Sequence, residues 1–129
     1  MKLNAGIITS KLAATKSFYV DQLGFGVAFE NEWYLLLHTP DGSSQISFLL
    51  PNLESQKSIF QPEFNGRGVY LTIEVEDVDE VYQTIKNKGI PIEIAIRDEP
   101  WGDRHFAVVD PNGIGIDFVH YQQPENDGQ

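Results

Sequence analysis

The sequence predicts an α+β fold: two tandem β-α-β-β-β modules whose curved mixed sheets, each backed by one helix, surround a concave pocket. Three observations carry this expectation. The order of strand-like and helix-like runs over residues 1–50 restarts after residue 67. The turn "PDG" at 40–42 is echoed by "PNG" at 111–113. Ile46-Ser47-Phe48 near the end of the first module matches Ile116-Asp117-Phe118 near the end of the second. A trough of this kind suits a small molecule, although duplication alone also makes a stable fold.

The elements follow in order. Leu3 to Ile8 alternates as a strand does, and Thr9 or Ser10 can cap a helix running to about Leu23, with Leu12, Tyr19 and Leu23 on one face. Gly24 then stops it. The runs "FGVAFE", "WYLLLH" and "SQISFLL" are short and β-rich, with "TPDGSS" supplying the turn between the last two. After the polar linker "NLESQKSIFQPEFNGRG" comes the strand "VYLTIEV" and the sharpest helix signal in the chain. Asp77 is an N-cap with Glu80 three residues on, and Val78, Val81, Tyr82 and Ile85 fall at i, i+3, i+4 and i+7. Gly89 ends this helix, and "PIEIAIR", "RHFAVV" and "IGIDFVH" complete the second module. The chain is therefore expected to be one domain: module one at 1–50, linker at 51–67, module two at 68–121, and a polar, fraying tail at 122–129.

Composition bounds the function. A hydrophobic content of 41% with 12% aromatics can fill a core. Nineteen acidic against nine basic residues give a formal charge of −10, which argues against nucleic acid, whose phosphates need a basic footprint, and makes a cationic or neutral partner electrostatically easier. The absence of cysteine excludes disulfides, thiolate metal sites and a cysteine nucleophile, and fits a reducing compartment. The opening "MKLNAGIITS" has no long apolar core, and no run approaches the roughly 20 apolar residues that span a bilayer. A cytoplasmic protein without a membrane partner is expected.

The runs "SFYVDQLGF", "IEVEDVDEVYQTIKNKGI" and "EPWGDRHFAVVDPNGIGIDFV" resemble the vicinal oxygen chelate superfamily, which includes glyoxalase I, extradiol dioxygenases and bleomycin-resistance proteins. The resemblance covers nearly the whole chain. Its closing pattern, a "WG" loop, an arginine, an aromatic and then "DPNG", is most similar to the bleomycin-resistance-like branch. It implies paired modules, frequent homodimers and a pocket inside the curved sheet, and it does not imply one activity. Metal-dependent members place His, Glu or Gln at one position on the first and last strand of each module. Here those positions fall on Asn4, Ser47 (with Gln45 as a same-face fallback), Tyr70 and Asp117. A divalent site needs three or four converging ligands, mostly imidazole or carboxylate, and this set holds one strong ligand. No catalytic metal and no cofactor are expected.

The histidines do not supply the missing ligands. With "DPNG" as a four-residue connection, Val109 faces Ile114, so Phe106 lies opposite Asp117 and His105 points to the other face. His120 also has opposite parity to Asp117, whereas His38 pairs with Gln45 and lies on the Ser47 face. A one-residue slip would reverse these faces.

What remains is a pocket with aromatic walls. Tyr34, Tyr70 and Phe106 have cavity-side parity on this count, as rings that either stack on a ligand or belong to the core, and Trp101 sits between Pro100 and Gly102 at the expected mouth. Arg104 is suited to a ligand carboxylate or phenolate, or to a salt bridge with Asp103 or Asp117. Asp98 and Glu99 read as a solvated loop pair. No nucleophile elbow or phosphate-cradling loop is present. The ligand-binding candidates are thus Asn4, Tyr34, His38, Ser47, Tyr70, Trp101, Arg104, Phe106 and Asp117, with no catalytic residue among them. The expected activity is metal-free binding of a small, partly aromatic molecule, such as an antibiotic to be sequestered, by a homodimer. Two alternatives stay open: a metal-dependent lyase or dioxygenase built atypically on His38 and Asp117, and a structural or interaction domain.

Overall fold

The computed structural model describes residues 1–122. The expected fraying of the polar tail falls, Gln122 apart, outside the described residues. The chain forms two compact units, Met1–Arg67 and a second beginning at Gly68.

In unit one, β1 (Ala5–Ile8), β2 (Gly26–Glu30), β3 (Tyr34–His38) and β4 (Gln45–Leu49) form a mixed sheet in the order β1-β4-β3-β2, with β1 parallel to β4. The connection between β1 and β2 holds α1 (Leu12–Lys16), which runs on as one π-helical stretch, Ser17–Gln22. Neither Thr9 nor Ser10 caps α1. The N-cap position is Lys11, without a side-chain cap; the Thr9 hydroxyl accepts from the Lys11 N–H at 3.0 Å, and Ser10 donates from N–H and hydroxyl to Glu63, each at 2.7 Å. Thr15 of α1 and Phe18 and Tyr19 of the π stretch are buried, and Leu12 and Leu23 are half-buried. Tyr19 then packs its ring 5.3 Å from those of Phe25 and Phe48, above the buried Leu35 and Leu37. Gly24 ends the element at φ 82°, as the left-handed stop requires.

Unit two repeats this topology. β5 (Tyr70–Glu74), β6 (Ile94–Asp98), β7 (Asp103–Val109) and β8 (Gly115–Tyr121) lie in the order β5-β8-β7-β6, with β5 parallel to β8. The expected helix is α2 (Val78–Asn87), and Asp77 caps it by accepting from the Glu80 N–H at 3.0 Å. Its apolar stripe buries Val78 and Ile85 and sets Tyr82 edge-on to Phe106, with ring centroids 4.9 Å apart. Phe106 stacks in turn on Phe118 at 5.0 Å. With the fully buried Val108 and Ile116, these side chains make the core under α2, each contributing about 1.5–3 kcal/mol by burial.

Two register decisions shape unit two. The first is the β7–β8 connection. Val109 pairs with Gly115 and Phe106 with Phe118, one residue off the pairing expected from a four-residue loop. The loop proper is the three residues Pro111-Asn112-Gly113: Asp110 N–H bonds to the Ile114 carbonyl at 2.9 Å, Gly113 N–H to the Asp110 carbonyl at 3.0 Å, and Gly113 sits at φ 86°. This is the three-residue hairpin with a left-handed glycine, one residue shorter than the expected connection. The Asp110 carboxylate, 4% exposed, holds it by accepting from Asn112 N–H at 2.8 Å and Ile114 N–H at 2.9 Å. The second decision is a bulge on β6 between Ile94 and Arg97, matched in unit one by a bulge between Val27 and Phe29. It puts Arg97 opposite His105 and Asp98 opposite Arg104.

Asp110→Ala removes the acceptor for two N–H groups, one of them on the fully buried Ile114. A loss of about 1–3 kcal/mol in chemical denaturation is expected, and a change below about 0.5 kcal/mol would mean that the carboxylate does not hold the turn.

Candidate functional site

Alternation along β7 deals its side chains to two faces. Arg104, Phe106 and Val108 turn toward α2; His105 and Ala107 turn to the far face with their neighbours Asp117, on β8, and Arg97, on β6. The one-residue difference in the β7–β8 loop therefore corrects the expected facing. Phe106 is a core ring, fully buried beneath α2, and His105 shares a face with Asp117.

On that far face His105 is held at both ring nitrogens. Nδ1 lies 2.6 Å from Asp117 Oδ1, and Nε2 lies 2.8 Å from Glu99 Oε2. Ionised carboxylates accept and do not donate, so the protonated ring can donate to both at once. Arg97 Nε stands 3.1 Å from the same Glu99 oxygen. Burial alone would lower the pKa of His105, but the hydrogen bonds the ring donates to Glu99 and Asp117 outweigh it and hold the pKa above its ordinary value. The side chains of His105 and Glu99 are only 13% and 11% exposed, so Glu99 is not the solvated residue that the sequence suggested, whereas Asp98 is exposed. Glu99 is fixed by its backbone as well: its N–H donates to the Asp103 carbonyl at 2.7 Å, and its carbonyl accepts from Gly102 N–H at 3.0 Å.

The other candidates fall as follows. Arg104 is committed on the helix side, with Nε and Nη2 on Asp79 at 3.1 and 2.8 Å and Nη1 on Asp98 at 3.2 Å. Its partners are therefore not the expected Asp103 or Asp117; the β6 bulge and the first turn of α2 supply them. Trp101 is 66% exposed and donates from Nε1 to Asp103 at 2.8 Å. Tyr70, 72% exposed, opens β5 opposite Gly115, two residues before Thr72, which pairs with Asp117. In unit one, Tyr34, His38 and Ser47 share the sheet face turned away from the helix, and His38 pairs with Gln45 as expected. The His38 ring lies over Gly26, where an added Cβ would come within 2.2 Å of Nε2, and its Nδ1 bonds to the Thr39 carbonyl at 2.8 Å. Tyr34 neighbours the rings of Phe29 and Trp33 at 6.2 and 6.1 Å. Asn4 is exposed, just ahead of β1. An open cleft of about 590 Å³ lies elsewhere, on the helix side of unit one, between Leu12, Lys16, Asp21, Glu30, Glu32 and Leu35.

Sequence reasoning missed Glu99 and His105. The signal for His105 was present in "DPNG": an Asp able to cap the turn and a Gly at the left-handed position specify the three-residue loop. The donor chemistry does not fit a divalent metal. Of the four family positions, Asn4 and Ser47 are weak neutral donors and Tyr70 is a phenol, while the Asp117 carboxylate already accepts from His105. Among the described residues, no group of three or more His, Cys, Asp or Glu is disposed to hold a metal ion. No helix among them is long and apolar enough to cross a membrane.

Because the folded pKa of His105 is raised, its stabilising contribution is complete below the ordinary value of 6.5 and is lost as pH rises through the raised value. The stability difference between the wild type and His105→Gln, read by chemical denaturation, should shrink as pH rises above the ordinary histidine value of 6.5. A difference constant over that range would mean that the ring is not charged in the folded state.

Comparison with known proteins places these features. Residues 3–118 match the Glyoxalase/Bleomycin resistance protein/Dioxygenase superfamily. The Bleomycin resistance protein of Geobacillus stearothermophilus is 30% identical over 108 residues, 78% of this chain and 82% of that protein. Among solved structures, TnmS3, an antibiotic binding protein from Streptomyces sp. CB03234, superposes with a TM-score of 0.74 at 18% identity, over 95% of this chain and 96% of that one. A bleomycin-binding protein complexed with bleomycin superposes with a TM-score of 0.70 at 20% identity, over 95% and 99%. At those identities the two structures establish a shared fold, whereas the sequence match establishes descent: this chain is a member of the Glyoxalase/Bleomycin resistance protein/Dioxygenase superfamily.

Proposed function

We propose that the chain is a metal-independent small-molecule-binding protein of the bleomycin-resistance type, which sequesters an antibiotic-like, partly aromatic compound by contact and carries out no reaction on it. The observation that carries this reading is the donor set on the far face of unit two. Tyr70 offers an exposed, flat, hydrogen-bonding ring at a family metal position, and the Asp117 carboxylate at another is spent on His105. The 30% identity to a protein named for bleomycin resistance supports the ligand class, and the charge of −10 favours a cationic or neutral compound. A lyase or dioxygenase site built on His38 and Asp117 draws no such support, since a hydrogen bond already engages each. The cysteine-free composition suits a cytoplasmic setting.

We also propose a homodimer. Each sheet ends in edge strands, β1 and β2 in unit one and β5 and β6 in unit two, and edges of this kind are normally covered or paired. The exposed side chains of Phe29, Tyr70 and Trp101 offer apolar surface for such a contact.

Titration of chelator-treated protein with bleomycin tests the binding. In a Trp33→Phe background, saturable quenching of Trp101 is expected, weakened at least about ten-fold in Tyr70→Ala with the melting temperature held within a few degrees. No saturable response to bleomycin or to any member of an aromatic compound library, or a response that returns only when metal is restored, would contradict it. Sedimentation at micromolar protein should give twice the chain mass, and a monomer there would remove the dimer from the proposal.

A further inference from the structure

We propose that Asn65 is a self-modifying position: in the folded chain it converts, with water as the only co-reactant, through a succinimide formed with Gly66 to aspartate and isoaspartate. The chain holds two Asn-Gly pairs, Asn65-Gly66 in the linker and Asn112-Gly113 in the β7–β8 turn. Glycine lacks a Cβ, so in either pair its backbone nitrogen can come close to the asparagine side chain. The fold decides which pair reacts.

The reaction is an addition followed by an elimination. The Gly66 nitrogen bonds to Asn65 Cγ and gives up its proton, and the Cγ–Nδ2 bond breaks so that ammonia leaves with a proton in exchange. Water then opens the five-membered ring. At Cγ it restores a normal backbone with aspartate; at the main-chain carbonyl it leaves isoaspartate, with the chain routed through the side chain. Nothing is oxidised or reduced. Asn65 is arranged for the addition. It is exposed, just past the anchor where Phe64 N–H donates to the Ile8 carbonyl at 2.8 Å. Its Oδ1 accepts from Arg67 N–H at 3.3 Å, a donor fixed beside the oxygen that turns negative as Cγ is attacked. Among the described residues, Gly66 N–H and Asn65 Nδ2 have no hydrogen bond to give up. Asn112 is arranged against the same step. Gly113 N–H, whose nitrogen would have to attack, donates to the Asp110 carbonyl at 3.0 Å. Asn112 N–H and Nδ2 donate to the buried Asp110 carboxylate at 2.8 and 3.3 Å. A misplacement of about 1 Å is enough to cost about a hundred-fold in an intramolecular attack. The isoaspartyl product adds a negative charge and one backbone bond to the linker, shortly before unit two begins at Gly68.

The test is peptide mapping by mass spectrometry on the full-length, native protein after incubation at mildly alkaline pH. Trypsin frees Asn65 in the peptide Ser58–Arg67 and Asn112 in the peptide that begins at His105. Fragmentation places the residue that has gained the mass of amide-to-acid conversion, and electron-transfer fragmentation separates isoaspartate from aspartate. In the folded chain Asn65 should convert at least about ten-fold faster than Asn112, with isoaspartate the major product. In guanidinium chloride, where the turn no longer restrains Asn112, the two rates should come within about three-fold of each other. The proposal is overturned if Asn65 does not convert in the folded chain, or if Asn112 converts there as fast as Asn65. It is also overturned if the Asn65 product contains no isoaspartate, since direct hydrolysis would then be the route. An equal ratio of rates in the folded and the unfolded chain would overturn it as well, by assigning the difference to neighbouring sequence and not to the fold.

Discussion

The three-residue turn Pro111-Asn112-Gly113 fixes the register of the β7–β8 hairpin, and unit two depends on that register. A strand has a period of two, so one residue more or less in this loop would exchange every side chain of β7 between faces. With the observed pairing, Phe106 and Val108 join Phe118 and Ile116 in the core and His105 meets Asp117. The opposite assignment would turn a buried phenylalanine outward and separate the imidazole from Asp117. Asp110 and Gly113 thus decide, from the turn, what chemistry the sheet face can offer.

The β6 bulge completes the arrangement. It brings Asp98 and Glu99 to join Asp79 of α2 and Asp117 of β8, so that two successive residues of β7 each have a pair of carboxylates, on opposite faces: Asp79 and Asp98 around Arg104, Glu99 and Asp117 around His105. The two clasps differ in weight. Asp79 and Asp98 are 61% and 63% exposed, where water and salt screen an ion pair strongly. The His105 cluster is far better covered, so its hydrogen bonds contribute more to stability and would cost more to break. It also leaves the sheet face polar yet locally balanced in a chain of strongly negative charge.

Much of this was legible in the sequence, for local reasons. The repeat and α2 with its Asp77 cap rest on short-range periodicity and capping, which the chain encodes within a few residues. The β3–β4 pairing was legible because a count across "TPDGSS" happens to match the loop. The first helix was less so: its π-helical stretch adds a residue per turn that no 3.6-residue pattern reports, and the Thr9 and Ser10 hydroxyls found other partners. At the site, Asp117 and Tyr70 could be placed from the resemblance. Glu99 could not, because its burial depends on a bulge five residues earlier and on a strand register set from the far end of β7.

A double-mutant cycle on His105 and Asp117 tests the central claim, that the hairpin register joins these two side chains in a charged hydrogen bond. His105→Gln, Asp117→Asn and the double variant would be compared with wild type by chemical denaturation near pH 6. The observed register predicts a coupling of about 1–3 kcal/mol. Effects that add to within about 0.5 kcal/mol would contradict it, placing the two residues on different faces or out of contact.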